Sequence, residues 1–157
     1  MGTRVTFVIE TWVRASPAEV YALVANGATW PEWTPIASFR LEREGDEGGE
    51  SAGAIRVFKT GMAASREQIV EVRPGEGLSY VLLSGLPVRN HRADVELTPR
   101  DGGTAILWRE AFDPKIPGTG AFFRVFLRVF VGRCASGLVK RAAKDASERG
   151  ASGDRVG

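Results

Sequence analysis

The chain has one cysteine and one histidine among 157 residues. A single cysteine excludes an internal disulfide framework and every multi-cysteine zinc site. A single histidine excludes His-rich metal centres within one chain, including the two-histidine facial triad. Ser-His or Cys-His catalysis could draw only on His91. Long hydrophobic runs are also missing. The longest, FFRVFLRVFV from Phe122 to Val131, is cut by Arg124 and Arg128 and is too short to span a bilayer. The first residues alternate like a strand and lack the apolar region and cleavage site of a signal peptide. The expectation is a cytoplasmic protein with no stable membrane insertion. No pair of acids has glycosidase or metal-ligand spacing, and no GxGxxG or Walker pattern occurs, so neither a metal nor a cofactor is expected.

What is present fits one globular domain. A chain of this length buries roughly two-thirds of its unfolded surface. Residues 1–149 are read as the domain and 150–157, rich in Gly, Ser and charge, as a flexible tail. The net charge is only +2, but Arg124, Arg128, Arg133, Lys140, Arg141, Lys144 and Arg149 crowd its last helix against Asp145 and Glu148. The favoured reading is a solvated basic face. No Arg/Lys block or RNA-binding motif accompanies it, so no nucleic-acid partner is expected. Docking to a membrane or a partner stands as the alternative, and nothing in the sequence fixes the oligomeric state.

Residues 4–13 read as a strand, with Val5, Phe7 and Ile9 on one face. Ser16-Pro17-Ala18-Glu19 is a capping box with proline at the first helical position, and Asn26-Gly27 ends that helix. Thr29-Trp30-Pro31-Glu32 looks like a second capped start. From residue 36 to 112 the pattern is β, with strands at 37–44, 52–59, 65–73, 78–84, 88–98 and 104–112 separated by Gly- and Pro-rich turns. The spacing implies antiparallel hairpins. After Asp113–Gly118 a long helix runs from about Gly120 to Glu148, with Phe122, Phe123, Phe126, Leu127, Val129, Phe130, Cys134 and Leu138 as its apolar face. A sheet of this size must bury one face, and only this helix is large enough to cover it. Space between a curved sheet and such a helix is a ligand site.

Hairpin register gives the facing. The Asp101-Gly102-Gly103 turn pairs Val95 with Trp108 and Ala93 with Glu110, which puts Arg89, His91, Trp108, Glu110 and Phe112 on the inner face. Leu78, Tyr80 and Leu82 follow, and then Val70 and Val72 with Gln68 and Arg66 in the same phase. Strand 52–59 stays open: Ile55 and Val57 compete with Arg56 and Phe58. Phe122, Phe126 and Phe130 close the other side, with Trp33 at one mouth and Trp30 in the core. Cys134 reads as an inert buried thiol.

The matching stretches Ala15–Tyr21, Trp30-Pro31-Glu32-Trp33, Gly85–Arg89 and Gly102-Gly103-Thr104 leading to Trp108 resemble the START-like (SRPBCC, Bet v 1-like) superfamily, in its polyketide cyclase/dehydrase-type branch. The resemblance implies an α+β helix-grip fold: a seven-stranded curved antiparallel sheet around a long C-terminal helix, with two short helices after the first strand. It also implies a hydrophobic small-molecule partner: polyketide-like, aromatic or lipid.

Two readings of the polar subset stand side by side. In one, His91 is a general base oriented by Glu110, Arg89 or Arg66 holds an enolate oxygen, and Tyr80 delivers a proton, so that the cavity cyclises or dehydrates its ligand. In the other, the same groups satisfy one another inside a non-catalytic carrier or sensor, with Trp33, Arg66, Gln68, Val70, Leu82, Trp108, Phe112, Phe122, Phe126 and Phe130 lining the ligand.

Overall fold

The computed structural model describes residues 4–153. Strands β1 (Val5–Val13), β2 (Ser38–Arg43), β3 (Ile55–Thr60), β4 (Ala63–Arg73), β5 (Gly77–Ser84), β6 (Val88–Arg100) and β7 (Gly103–Pro114) form one seven-stranded sheet in the order β1-β7-β6-β5-β4-β3-β2. Every neighbouring pair is antiparallel. Between β1 and β2 lie helix α1 (Pro17–Val24), a 3-10 turn at Gly27–Thr29 and helix α2 (Trp30–Trp33); helix α3 (Gly120–Gly153) follows β7. This is the α+β helix-grip architecture, with the curved sheet around α3.

Local chemistry explains the short helices. Ser16 Oγ accepts the Glu19 amide at 3.2 Å, Glu19 Oε2 accepts the Ser16 amide at 2.9 Å, and Pro17 follows directly. The second start is built differently from the sequence reading. Asn26 Oδ1 caps the 3-10 turn through the Ala28 amide. The Thr29 hydroxyl makes no cap and donates instead to the carbonyls of Leu23 and Asn26. Helix α3 continues past the expected end at Glu148 to Gly153, and residues 154–157 of the expected tail lie outside the described residues.

The core sits between α1, α2, α3 and the concave sheet face. Trp30 is its centre: its ring stacks on Phe58 at 4.9 Å and meets Trp108 edge-on at 5.9 Å, and its Nε1 donates to the Val24 carbonyl. Leu127, Val131, Cys134 and Leu138 bring α3 into this core. Where α3 crosses α2, a Cβ on Gly137 would overlap the carbonyl oxygen of Trp33. Only glycine permits this approach, so Gly137→Ala is expected to destabilise by about 2 kcal/mol or more, as overpacking does. A urea midpoint unchanged by this substitution would mean the helices are not that close.

Candidate functional site

A cavity of about 380 Å³ lies between the sheet and α3. Aromatic and aliphatic side chains, among them Trp30, Phe58, Leu82, Trp108, Phe126 and Phe130, make most of its wall. Its polar lining comprises Glu67, Tyr80, His91 and Glu110 together with Thr60, Ser65 and Arg133.

Each polar group is placed by its strand. His91 and Glu110 stand on adjacent β6 and β7, where Ala93 pairs with Glu110 and Val95 with Trp108. His91 Nε2 and Glu110 Oε2 are 2.5 Å apart. His91 Nδ1 accepts the backbone N–H of Leu82 at 3.0 Å. Both ring nitrogens are therefore engaged, and the ring has no lone pair left for a ligand's proton. Burial disfavours a charged imidazole, whereas the hydrogen bond and charge of Glu110, then the charge of Glu67, favour one and on balance raise the His91 pKa. The Leu82 amide works against that balance, because a second ring proton would have to sit on Nδ1 and face the N–H. In this geometry the ring is neutral, with its proton between Nε2 and Glu110.

Glu67 reaches the cavity from β4, where it pairs with Leu82 of β5. Only 13% of its side chain is exposed, and Oε2 is closed off with no hydrogen-bond partner among the described residues. Burial pushes its pKa up to about 7 against the pull of Arg56 and His91, with Glu110 adding to the rise. Arg56, fully buried on β3, lies behind it with Nη2 at 3.7 Å from Glu67 Oε2. The Arg56 guanidinium also donates from Nη1 to the Val24 carbonyl at 3.3 Å and pairs with Glu50 at 3.5 Å. It stands over the rings of Trp30, Phe58 and Tyr80 at 4.9, 5.1 and 5.8 Å. Burial, then Glu110 and Glu67, raise the Tyr80 pKa, so its hydroxyl keeps its proton. Trp108 Nε1 is a buried donor closed off from solvent; it interacts with the Tyr80 oxygen and opposes that rise, although outside strict hydrogen-bond geometry. Burial, then Glu67 and Glu110, push the Cys134 thiol up, away from thiolate chemistry.

Of the residues expected at the site, His91, Glu110, Tyr80, Leu82, Trp108, Phe126 and Phe130 line the cavity. The others do not. Arg89 is exposed, because Asn90 takes a left-handed conformation (φ 50°) and the β6–β7 register shifts between Arg89 and Arg92. That bulge breaks the alternation which put Arg89 beside His91. A second register shift on β4, between Ile69 and Glu71, inverts the phase before it. Val72 faces the core as expected, whereas Val70 is exposed and Arg66 forms an outer pair with Glu42 at 2.6 Å. Gln68 donates to the Gly53 carbonyl, away from the cavity.

Phe112 and Trp33 are buried in the core without lining the cavity, while Trp30, expected only in the core, does line it. Phe122 is largely exposed and does not line the cavity, although its ring stacks on Phe126. The open question at residues 52–59 resolves with Arg56 and Phe58 inward, beside Trp30. Sequence reasoning missed Glu67 and Arg56 as site residues. The available signal was an opposed pair, since a charge on the inner face of one strand demands its complement on the next.

Comparison with known proteins agrees with this geometry. A family model described as polyketide cyclase / dehydrase and lipid transport matches residues 4–147. Among curated proteins, nothing matches by sequence. Among solved structures, the di-domain ARO/CYC StfQ from the steffimycin biosynthetic pathway superposes with a TM-score of 0.73 at 21% identity, over 94% of this chain and 52% of that one. XoxI from Bacillus cereus gives 0.71 at 16% identity, over 89% and 95%. Ara h 8.0201 gives 0.67 at 17% identity, over 93% and 99%. These likenesses establish a shared fold.

Proposed function

The chain belongs to the polyketide cyclase / dehydrase and lipid transport family, and on that premise we propose that it binds one oxygen-bearing hydrophobic molecule, polyketide-like or aromatic, and dehydrates or cyclises it without a cofactor. One observation carries the reading: Glu67, a carboxyl group with its pKa pushed up to about 7, lines the same apolar cavity as Tyr80, whose hydroxyl keeps its proton. A ligand carbonyl accepts from the Tyr80 hydroxyl. A carboxyl with a pKa of about 7 exchanges protons readily near neutrality.

For a β-hydroxy carbonyl ligand the step balances within the site. Glu67 as carboxylate takes the proton α to the carbonyl, and the electron pair moves onto the carbonyl oxygen held by Tyr80. The enolate then expels the β-hydroxyl, which takes the proton back from Glu67 and leaves as water. The carboxyl ends as it began. His91 is a positioning residue in this scheme: its Nε2 proton holds Glu110 in place, and the fixed negative charge of Glu110 favours the protonated form of Glu67.

Native mass spectrometry of the purified protein is expected to find one apolar molecule per chain carrying a carbonyl or hydroxyl oxygen. Glu67→Gln is expected to retain that molecule and to convert it about a hundredfold more slowly. Unchanged turnover in Glu67→Gln would remove Glu67 from the chemistry. A wild-type protein that holds the molecule and never alters it would assign the carrier role instead.

A further inference from the structure

The N-terminal half of α3 has a second apolar ridge that the core does not use. Phe122, Val125, Phe126 and Val129 are 65%, 61%, 47% and 54% exposed. Their spacing of three and four residues places them along one stripe. The buried Leu127, Val131, Cys134 and Leu138 occupy the other side of the helix. The rings of Phe122 and Phe126 stack at 6.4 Å, although both are largely in contact with solvent. The ridge continues to the mouth of the cavity, since Phe126 and, one turn beyond Val129, the exposed Arg133 also line it. Further exposed apolar groups lie near the rim. Met62, at the β3–β4 turn, precedes the cavity residue Ala63, and Leu83 lies two residues before the cavity residue Gly85.

Charge decides what such a surface fits. From Gly120 to Lys144 α3 has no acidic residue, and Arg128 and Arg133 are exposed beside and on the ridge, whereas Arg124 turns to β1 and donates to the Thr6 carbonyl at 3.2 Å. A second copy docking ridge to ridge would set arginine against arginine. A neutral apolar protein surface would leave the guanidinium groups without partners. A bilayer with anionic headgroups satisfies both features: aromatic side chains enter the boundary between headgroups and acyl chains, and the arginines meet phosphates.

We propose that the Phe122–Val129 ridge of α3, with Arg128 and Arg133, is a docking surface for anionic lipid bilayers. The helix lies on the surface and does not cross it; no described helix is long and apolar enough to span a membrane. Docked in this way, the mouth of the cavity opens onto the bilayer, and a hydrophobic ligand passes between the two without traversing water. That last consequence rests on the ligand-binding reading above; the docking itself does not.

The test is co-sedimentation of the full chain with vesicles of phosphatidylglycerol or of phosphatidylcholine. Binding is expected to phosphatidylglycerol alone, and to weaken as salt screens the arginines. Phe122→Asp and Arg128→Glu are each expected to weaken it about tenfold or more. Neither position lines the cavity or enters the core, so both variants should keep the wild-type melting temperature. Glu67→Gln should leave vesicle binding unchanged, which separates failure of the docking surface from failure of the ligand site. No binding to phosphatidylglycerol at low salt, equal binding to both lipids, or binding indifferent to both surface variants would overturn the proposal. So would a dimer in light scattering that Phe122→Asp dissociates, since it would give the ridge to a second copy.

Discussion

Replacing Arg56 with alanine is expected to destabilise the fold by about 3–5 kcal/mol, the largest effect of any single substitution considered for this protein. The guanidinium is fully buried, yet Nε and Nη2 have no hydrogen-bond partner among the described residues. What holds it is charge and stacking: Glu50 at 3.5 Å, Glu67 at 3.7 Å, and three aromatic faces. Truncation removes the counter-charge of Glu67 and leaves a void under Trp30 and Phe58. The Val24 carbonyl keeps its bond from Trp30 Nε1, and Glu50 keeps the Gly27 amide, so those two groups are not orphaned. The loss therefore falls on Glu67 and on the aromatic cluster. For a domain of this size the melting temperature should fall by roughly 10 °C. Combining Arg56→Met with Glu67→Gln removes both charges while keeping most of the volume, and is expected to recover most of the loss. Equal melting temperatures for wild type and Arg56→Ala would show that the guanidinium is not held as described.

The second large effect is the pH dependence of Glu67. Its pKa is pushed up to about 7 in the folded protein against an ordinary value of 4.5. Below 4.5 the group is protonated in both folded and unfolded chains and contributes nothing. Between 4.5 and 7 the unfolded chain releases the proton while the folded chain holds it, so stability falls as pH rises. Above 7 both forms are ionised and the cost levels off at about 3 kcal/mol. Glu67→Gln mimics the protonated form at every pH. Its stability relative to wild type should therefore climb across this window by about that amount, other groups cancelling in the difference. Paired urea titrations at several pH values would measure it, and a difference flat with pH would mean that water reaches Glu67 freely.

The topology was legible because its signals are local. The Ser16 capping box, the Asp101-Gly102-Gly103 turn and the proline-glycine break before α3 each act within a few residues, and together they dictate a meander closed by a helix. The turn at residues 101–103 even set the β6–β7 register that brings His91 to Glu110. The errors at the site share one physical origin. A bulge inserts a residue and inverts every side chain on one side of it, so Arg66, Gln68 and Val70 on β4 and Arg89 on β6 were assigned to the wrong face. Asn90 was a readable warning, since asparagine tolerates the left-handed conformation found there. The run Arg66-Glu67-Gln68-Ile69-Val70 offered none, because neither phase of it is clearly amphipathic. On α3, helical spacing alone puts the phenylalanines on one face, whereas the folded helix divides them between the cavity and solvent.

The aromatic packing around Trp30 also gives the protein an internal optical probe. Trp30 and Trp108 line the cavity with rings 5.9 Å apart, and Trp33 lies 4.9 Å from Trp30. Trp12 stands apart on the surface, 38% exposed, with its indole N–H on the Arg100 carbonyl. Three of the four indoles thus form one chromophore cluster, two of them in contact with whatever occupies the cavity. A molecule that displaces water there, or that packs on the rings of Trp30 and Trp108, alters their emission and their near-ultraviolet dichroism together, while Trp12 supplies a constant background. Occupancy can be followed in solution without a label and before the ligand is known.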